Sequence, residues 1–423
     1  MLGEIIYTHR IQNGFTQEGL ARGICSISYL SKIENNKIQA SQEVVTLLFS
    51  RLGISELDIL TVDDDFDALL TNWKEVILSR EVGRARVLKI EIDQKLKDKK
   101  FSAIFERFAL LLDFGFQILV KNLSQAEVLY SKLEVISKFF TSEQLYLYHQ
   151  FQGLLKYALN DMQSSLRHLL NALNMGGKDQ QIRPELYYQL ALVYTRLYQI
   201  PFSIHYAQIA IGHFDHSADY MRSIDCKILL GINLIRIHDL QKAESILLSA
   251  LKFAKLNNCL HTTGIVLHNL GYLYSIKKDH ETAIEYYLHC LKVRNQKDFP
   301  RFVNTVYFLS KELHFCSRKT EAMKWIRKGL KIAGEHDLED YRIKLTYLLH
   351  QLKETEDETL IRFLENEAIP FFQQKGGEYY FISTYSERLA DLYSQRYQYK
   401  KSSHYYAISN ESRKKLNGVT IDL

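Results

Sequence analysis

The chain has 423 residues, 46% of them hydrophobic and 24% charged, with only 4 prolines, a balance that supports a large buried core and long helices. Its formal charge of +5 is small for this length, and within residues 1–60 five Lys/Arg face six Asp/Glu, so charge alone announces no nucleic-acid partner. Five scattered cysteines (Cys25, Cys226, Cys259, Cys290, Cys316) form no CxxC pair, and the chain holds neither a secretion-signal pattern nor a run of about 18 apolar residues. These absences argue against a disulfide framework, a zinc site, a membrane span and a leader, and a cytoplasmic location is expected.

Residues 2–13 place Leu2, Ile5 and Ile6, then His9 and Arg10, on an amphipathic helix that stops at Asn13-Gly14. Thr16 can cap a second helix with Leu20, Ala21 and Ile24 inward, and Ser26 a third with Leu30 and Ile33 inward. Two short helices joined this way can present the second of them to a DNA major groove. Its outward residues are then Ile27, Ser28, Ser31 and Lys32, with Tyr29 at the margin, placed to meet base edges, while Gln17, Asn35 and Lys37 suit phosphates. Gln42–Leu52 and Ser55–Leu60 supply two further helices, whose Val44, Leu47, Leu48, Leu52, Ile54 and Leu57 are expected to close the core. The motifs Thr16-Gln17-x-x-Leu20-Ala21, Ser26, Ser31-x-Ile33-Glu34-Asn35 and Leu52-Gly53-Ile54 resemble the five-helix domain of the lambda-repressor/Xre family over residues 1–62. That resemblance carries DNA contact to Gln17, Ser26, Ile27, Ser28, Ser31 and Lys32, with Tyr29 beside them. The Ile24-Cys25-Ser26 turn departs from the family in lacking its frequent glycine.

The acidic run Asp63-Asp64-Asp65-Phe66-Asp67 is read as a linker, residues 63–72, or as the first turn of the next helix, and not as a metal site, because no other hard ligands are spaced around it. Beyond it, from residue 73 to 423, helical units recur. Leu267-His268-Asn269-Leu270-Gly271-Tyr272, followed by Ala283, Tyr287 and Cys290, sets a small residue where two helices cross with aromatics around it, the signature of a tetratricopeptide-like pair. Leu230-Gly231 with Leu234, Ala243, Leu247 and Ala250 repeats it forty residues earlier, against about 34 for the standard unit. Further copies fall at Gly153/Ser165/Leu169/Ala172, Ala191/Ser203/Ala207/Ala210, Ser310/Ala322/Ile326/Gly329 and Ala390/Ser402/Ser409, with an early copy at Ala126/Tyr130/Leu133 and a degenerate one over 341–372. The expectation is an all-α chain, an N-terminal helix-turn-helix domain followed by an α-solenoid of seven to nine helix pairs wound as a right-handed superhelix.

Stacked pairs of this kind enclose a concave surface lined by the first helix of each pair. Its candidate residues are Gln189, Thr195, Arg196, Asn233, Arg236, His268, Asn269, Tyr272, Asn304, Tyr307 and Lys311, with Arg388 and Asp391 at the far end. An Asn or Gln amide donates to a peptide carbonyl and accepts from its N–H together, and Arg or Lys holds a carboxylate. His213-x-x-His216-x-x-Asp219 has metal-ligand spacing on one helical face but reads as surface, so no metal or cofactor is expected. No phosphate loop, Gly-x-Ser-x-Gly elbow or His-Glu-x-x-His occurs, so the chain is not expected to be an enzyme.

A repressor-like head on an array of forty-residue repeats resembles the RRNPP-type quorum-sensing regulators of Gram-positive bacteria, and within them the NprR and PlcR branches. The resemblance implies a dimer or higher homo-oligomer on double-stranded inverted-repeat DNA, with a short linear signalling peptide in the groove that sets oligomer state or the spacing of paired heads. Rap-like relatives imply an alternative, a repeat array that holds a phosphorelay response regulator near residues 73–100. A phage-encoded peptide receptor deciding lysis against lysogeny shares the same architecture.

Overall fold

The computed structural model describes residues 2–35, 37–53, 64–98, 101, 103–179, 183–294, 298–353, 357–376 and 378–416. These residues contain helices and no β-strand, and they divide into two compact units, Met1–Gln199 and Ile200–Leu423.

The first unit opens with four helices, Leu2–Gln12, Gln17–Ala21, Ile27–Glu34 and Gln42–Leu52. Each cap follows from a hydroxyl that satisfies a backbone donor at a helix start: Thr16 accepts from the Gly19 N–H, Ser26 from Tyr29 and Ser41 from Val44. Gly53 ends the fourth helix at φ +70°, a left-handed conformation that only glycine adopts freely. Ile5, Ile6, Leu20, Ala21, Leu30 and Ile33 form the core with Val45, Leu48, Phe49 and Leu52. The expected lining of the fourth helix is therefore corrected by one residue. Val45, Leu48, Phe49 and Leu52 keep the i, i+3, i+4, i+7 stripe, whereas Val44 is half-buried and Leu47 is 48% exposed. The fifth helix, with Ile54 and Leu57, lies outside the described residues.

Residues 64–72 are not a linker but the first turns of the helix Asp64–Leu78, whose Phe66, Leu70 and Trp73 are fully buried. The acidic start suits a helix N-terminus, where the backbone dipole favours negative charge. Antiparallel helices follow in alternation, Val82–Asp98, Ala103–Leu119, Leu123–Ile136, Ser142–Ala158, Met162–Asp179 and Pro184–Arg196. Gly153 lets two of them close, since a Cβ there would stand 2.5 Å from Leu169, and the Ser165 hydroxyl donates to the Gly153 carbonyl at 2.7 Å.

The second unit repeats one hairpin at steps of about forty residues. Its first helices are Tyr220–Arg236, Leu260–Ile276, Phe299–Phe315, Glu339–Lys353 and Tyr379–Gln395, and their partners follow after short turns. Three turns of this unit share a construction: a left-handed residue (Ala218, His238 or Lys278) precedes an aspartate (Asp219, Asp239 or Asp279) whose side chain caps the next helix. At the crossings a Cβ on Gly231 would meet Leu247 at 2.8 Å, and one on Gly271 would meet the buried Tyr287 ring at 2.6 Å. In the pair that reads as degenerate, the second helix runs Asp357–Phe363, passes through a π turn at Leu364–Ala368 and continues as Ile369–Lys375. Counted along the chain from Asp64, the described helices make nine pairs.

Candidate functional site

The helix Ile27–Glu34 is fixed by Leu30 and Ile33, which are buried, and this sets what faces outward. Ser26, Ile27, Ser28 and Lys32 lie on one exposed face, Ile27 at 48% exposure, while Tyr29 and Ser31 are half-buried at its margins. The Ser26 hydroxyl, besides capping the helix, stands 3.4 Å from that of Ser28. Asn35 and Lys37 are exposed beyond the helix, and the Asn35 amide donates to the Ser31 carbonyl at 2.6 Å. Gln17 is half-buried and already engaged, its amide donating to Glu34 at 2.7 Å.

Behind that face sits an ion pair that sequence reasoning missed. Glu34, fully buried, accepts from Arg10 Nε at 2.6 Å and from Arg10 Nη2 at 3.1 Å, and Arg10 Nη1 donates to the Phe15 carbonyl. The available signal was the position of Arg10, one turn after Ile6 on the inner face of its helix, where a charge demands a partner. The pair ties the first helix to the outward-facing third. On its other side Tyr7 of the first helix packs against Phe139 at 4.7 Å, with the Lys138 amine 3.8 Å from the ring centre and the Arg10 guanidinium 5.1 Å from it. Phe139 belongs to a short 3₁₀ turn, Ser137–Phe139, between two helices of the array, so the small N-terminal bundle is mounted on the repeat scaffold.

Of the groove candidates, Gln189 and Arg196 belong to the first unit. Gln189 is buried and takes a hydrogen bond from Gln150 at 3.0 Å, and Arg196 is exposed and donates to Asn160. Asn233 in the second unit is fully buried, donating to Ser203 at 2.8 Å and to the Leu229 carbonyl. Gln189 and Asn233 are thus internal braces, which corrects their expected place on an open surface: their positions point between helices of the stack. Arg236 is exposed and Arg388 half-buried.

The remaining candidates do come together. His268, Asn269 and Tyr272 on Leu260–Ile276 face Asn304, Tyr307 and Lys311 on Phe299–Phe315. Contact is direct: His268 Nδ1 lies 3.1 Å from the Thr305 hydroxyl, Asn304 Nδ2 lies 3.4 Å from His268 Nε2, and Phe308 meets His268 and Tyr272 edge-on. Burial, with a smaller contribution from the charge of Arg294, pushes the His268 imidazole down to about 3, so it is a neutral ring here. Asn269 spends its –NH2 on the Ile265 carbonyl at 2.9 Å, which leaves its oxygen as an acceptor at the surface.

Next to Tyr307 the second unit opens a cavity of about 250 Å³ lined by Lys311, His314, Tyr347, Tyr380, Phe381 and Tyr385. The Lys311 amine stands 5.8 Å from the Tyr307 ring centre, and the buried Tyr385 hydroxyl and His314 Nδ1 have no hydrogen-bond partner among the described residues. Burial raises the phenols of Tyr307, Tyr347 and Tyr385, which remain neutral donors at any ordinary pH. An aromatic box with donors in its wall suits an apolar or aromatic group that carries an acceptor. Tyr347, Tyr380, Phe381 and Tyr385 were not singled out in the sequence, because the box is built where the repeat pattern is weakest.

The sequence matches a helix-turn-helix family model over residues 6–59 and a tetratricopeptide repeat model over residues 220–296. Together with the fold, these matches define an RRNPP-type regulator. The chain belongs to the family of the transcriptional activator NprA of Geobacillus stearothermophilus, with which it is 32% identical over 413 residues, 95% of this chain and 100% of that protein. It is also 22% identical to the response regulator aspartate phosphatase I of Bacillus subtilis, over 84% of this chain and 92% of that one. Among solved structures, the apo form of the quorum sensor NprR from B. thuringiensis superposes with a TM-score of 0.74 at 24% identity, covering 84% of this chain and all of that one. A Rap protein complexed with competence and sporulation factor superposes at 0.67 and 19% identity, covering 84% and 99%.

Proposed function

We propose that this chain is a cytoplasmic, DNA-binding transcription regulator whose repeat groove takes a short linear peptide, acting as a homodimer or higher oligomer on an inverted repeat and catalysing no reaction itself. The observation that carries the reading is the presence, on one chain, of an exposed helix face made of Ser26, Ile27, Ser28 and Lys32 and a floor of side-chain amides and aromatics around Asn269 and Asn304. A serine-capped helix N-terminus with a nearby lysine is chemically suited to a phosphate backbone, and small hydroxyls to base edges. Asn269 and Asn304 are suited to the backbone of an extended peptide whatever its side chains. Regulation then follows from population shift, in which a peptide moves the array towards one shape only by its difference in affinity for two.

Two titrations test this. Fluorescence anisotropy with operator fragments recovered by genomic selection should lose about tenfold in affinity for Ser28→Ala/Lys32→Ala, with peptide affinity unchanged. Calorimetry with the C-terminal tail encoded by a short neighbouring reading frame should show binding that Asn269→Ala abolishes, with DNA affinity in the absence of peptide retained. A chain that binds no operator fragment with or without peptide would overturn the reading.

A second reading, that the array holds a response-regulator protein, is favoured by one feature. Val87 and Ile90, one turn apart on Val82–Asp98, are 66% and 68% exposed, an apolar strip within the residues named for such a partner. Pull-down of a response regulator by the wild-type chain, lost in Val87→Asp/Ile90→Asp, tests it.

A further inference from the structure

About one helical turn before Asn269 and Asn304, and bordered also by the end of the helix His280–Val293, lies a second cavity of about 380 Å³ with Leu260, His261, Ile265, Arg294, Asp298 and Arg301 in its wall. Its charges are unbalanced. The lining holds one carboxylate, Asp298, which Arg301 engages at 2.9 Å, and Arg294 makes no ion pair among the described residues. Arg294 is held in place nonetheless: Nε donates to the Cys290 sulfur at 3.1 Å and Nη2 to the Gly264 carbonyl at 3.4 Å. Room for it comes from Gly264, where a Cβ would stand 3.1 Å from Arg294 Cγ. Arg294 Nη1, fully enclosed, has no hydrogen-bond partner among the described residues. A guanidinium fixed in position, in a wall where two arginines share the single carboxylate of Asp298, is an arrangement suited to a further anion.

We infer that this cavity holds a carboxylate of the groove's ligand, held by the guanidinium of Arg294 and supported by Arg301, so that the cognate peptide is acidic at this end. This inference rests on the reading of the groove as a peptide site. The apolar walls, Leu260, Ile265 and Val293, would surround the carbons that carry the carboxylate, as an aspartate, a glutamate or an apolar C-terminal residue requires.

The test is selection of randomised heptapeptides, displayed on their own messenger RNA, against the full-length chain. Wild type should enrich Asp or Glu at one position at least fivefold over the library, and Arg294→Glu should replace that preference with Lys or Arg. The winning peptide is then synthesised with Asp→Asn or Glu→Gln at that position and, separately, with an amidated C-terminus. Whichever change weakens wild-type binding about tenfold, yet costs Arg294→Gln nothing further, identifies the carboxylate as side chain or terminus. Arg301→Gln, at an exposed position where folding is not at stake, should weaken binding as well, because it releases Asp298 to face Arg294. Peptides that enrich without acidic preference and bind wild type and Arg294→Gln equally would overturn this inference while leaving the groove reading intact. No enrichment at all would overturn the groove reading itself.

Discussion

Replacing Glu34 by glutamine removes one negative charge from a site that has no access to water and leaves the Arg10 guanidinium buried with one of its three acceptors gone. Three donors converge on that carboxylate, two from Arg10 at 2.6 and 3.1 Å and one from Gln17 at 2.7 Å, and both Arg10 and Glu34 are buried, at 6% and 0% exposure. Breaking such a pair from one side costs about 3–5 kcal/mol, because the surviving charge stays desolvated. The expected readout is amide hydrogen exchange at Leu30, Ile33 and Leu48 in the full chain, faster by two decades or more at about 1.4 kcal/mol per decade. Arg10→Met/Glu34→Leu, which removes both charges and keeps the volume, should return exchange to within about 1 kcal/mol of wild type. An increase of less than fivefold in Glu34→Gln, or a double variant as labile as the single, would refute the argument that the pair fastens the third helix to the first.

Gly271→Ala should lower stability by about 1–3 kcal/mol, since its methyl would enter the fully buried Tyr287 ring; an unchanged thermal melt would contradict the close approach. Ala218→Gly should raise stability by about 0.5–1 kcal/mol in denaturant titration, because Ala218 sits at φ 59° in an exposed turn where a side chain is strained. His268 is neutral in the folded chain at about 3, whereas the unfolded chain takes up its proton near 6.5. Its stability contribution is therefore complete above about pH 6.5 and drains as pH falls, by about 2 kcal/mol at pH 5. The groups facing the ring are Thr305, Asn304, Arg294, Tyr287 and Phe308. His268→Asn should flatten this part of the pH profile, and an equally steep profile in the variant would count against it.

Local chemistry was the legible part of this chain. Thr16 and Ser26 cap because a hydroxyl before an apolar period has little else to do, and Gly231 and Gly271 sit at crossings because only a missing side chain lets two long helices touch there. Face assignment failed where apolar residues crowd. Val44, Val45, Leu47, Leu48 and Phe49 fit two adjacent stripes, and packing against Ile5 and Leu20 chose between them. The acidic start at Asp64 left a linker and a helix start both open, because a buried Phe66 among aspartates carries no periodicity of its own. Gln189 and Asn233 read as groove residues because an amide that braces two helices and one that clamps a ligand look alike in one dimension. The aromatic box and the unbalanced Arg294 depend on contacts between helices, Tyr347 with Tyr385 and Arg294 with Gly264, to which no short motif points.

The seat of the N-terminal bundle on Phe139 and Lys138 has a mechanical consequence. A head swinging on a string samples every heading, and ordering it costs that freedom each time it lands. One bolted through Tyr7, with Arg10 and Glu34 in series behind the bolt, keeps a fixed bearing relative to its mount, so a tilt of the 3₁₀ turn reaches the outward helix as a rotation instead of dissipating as slack.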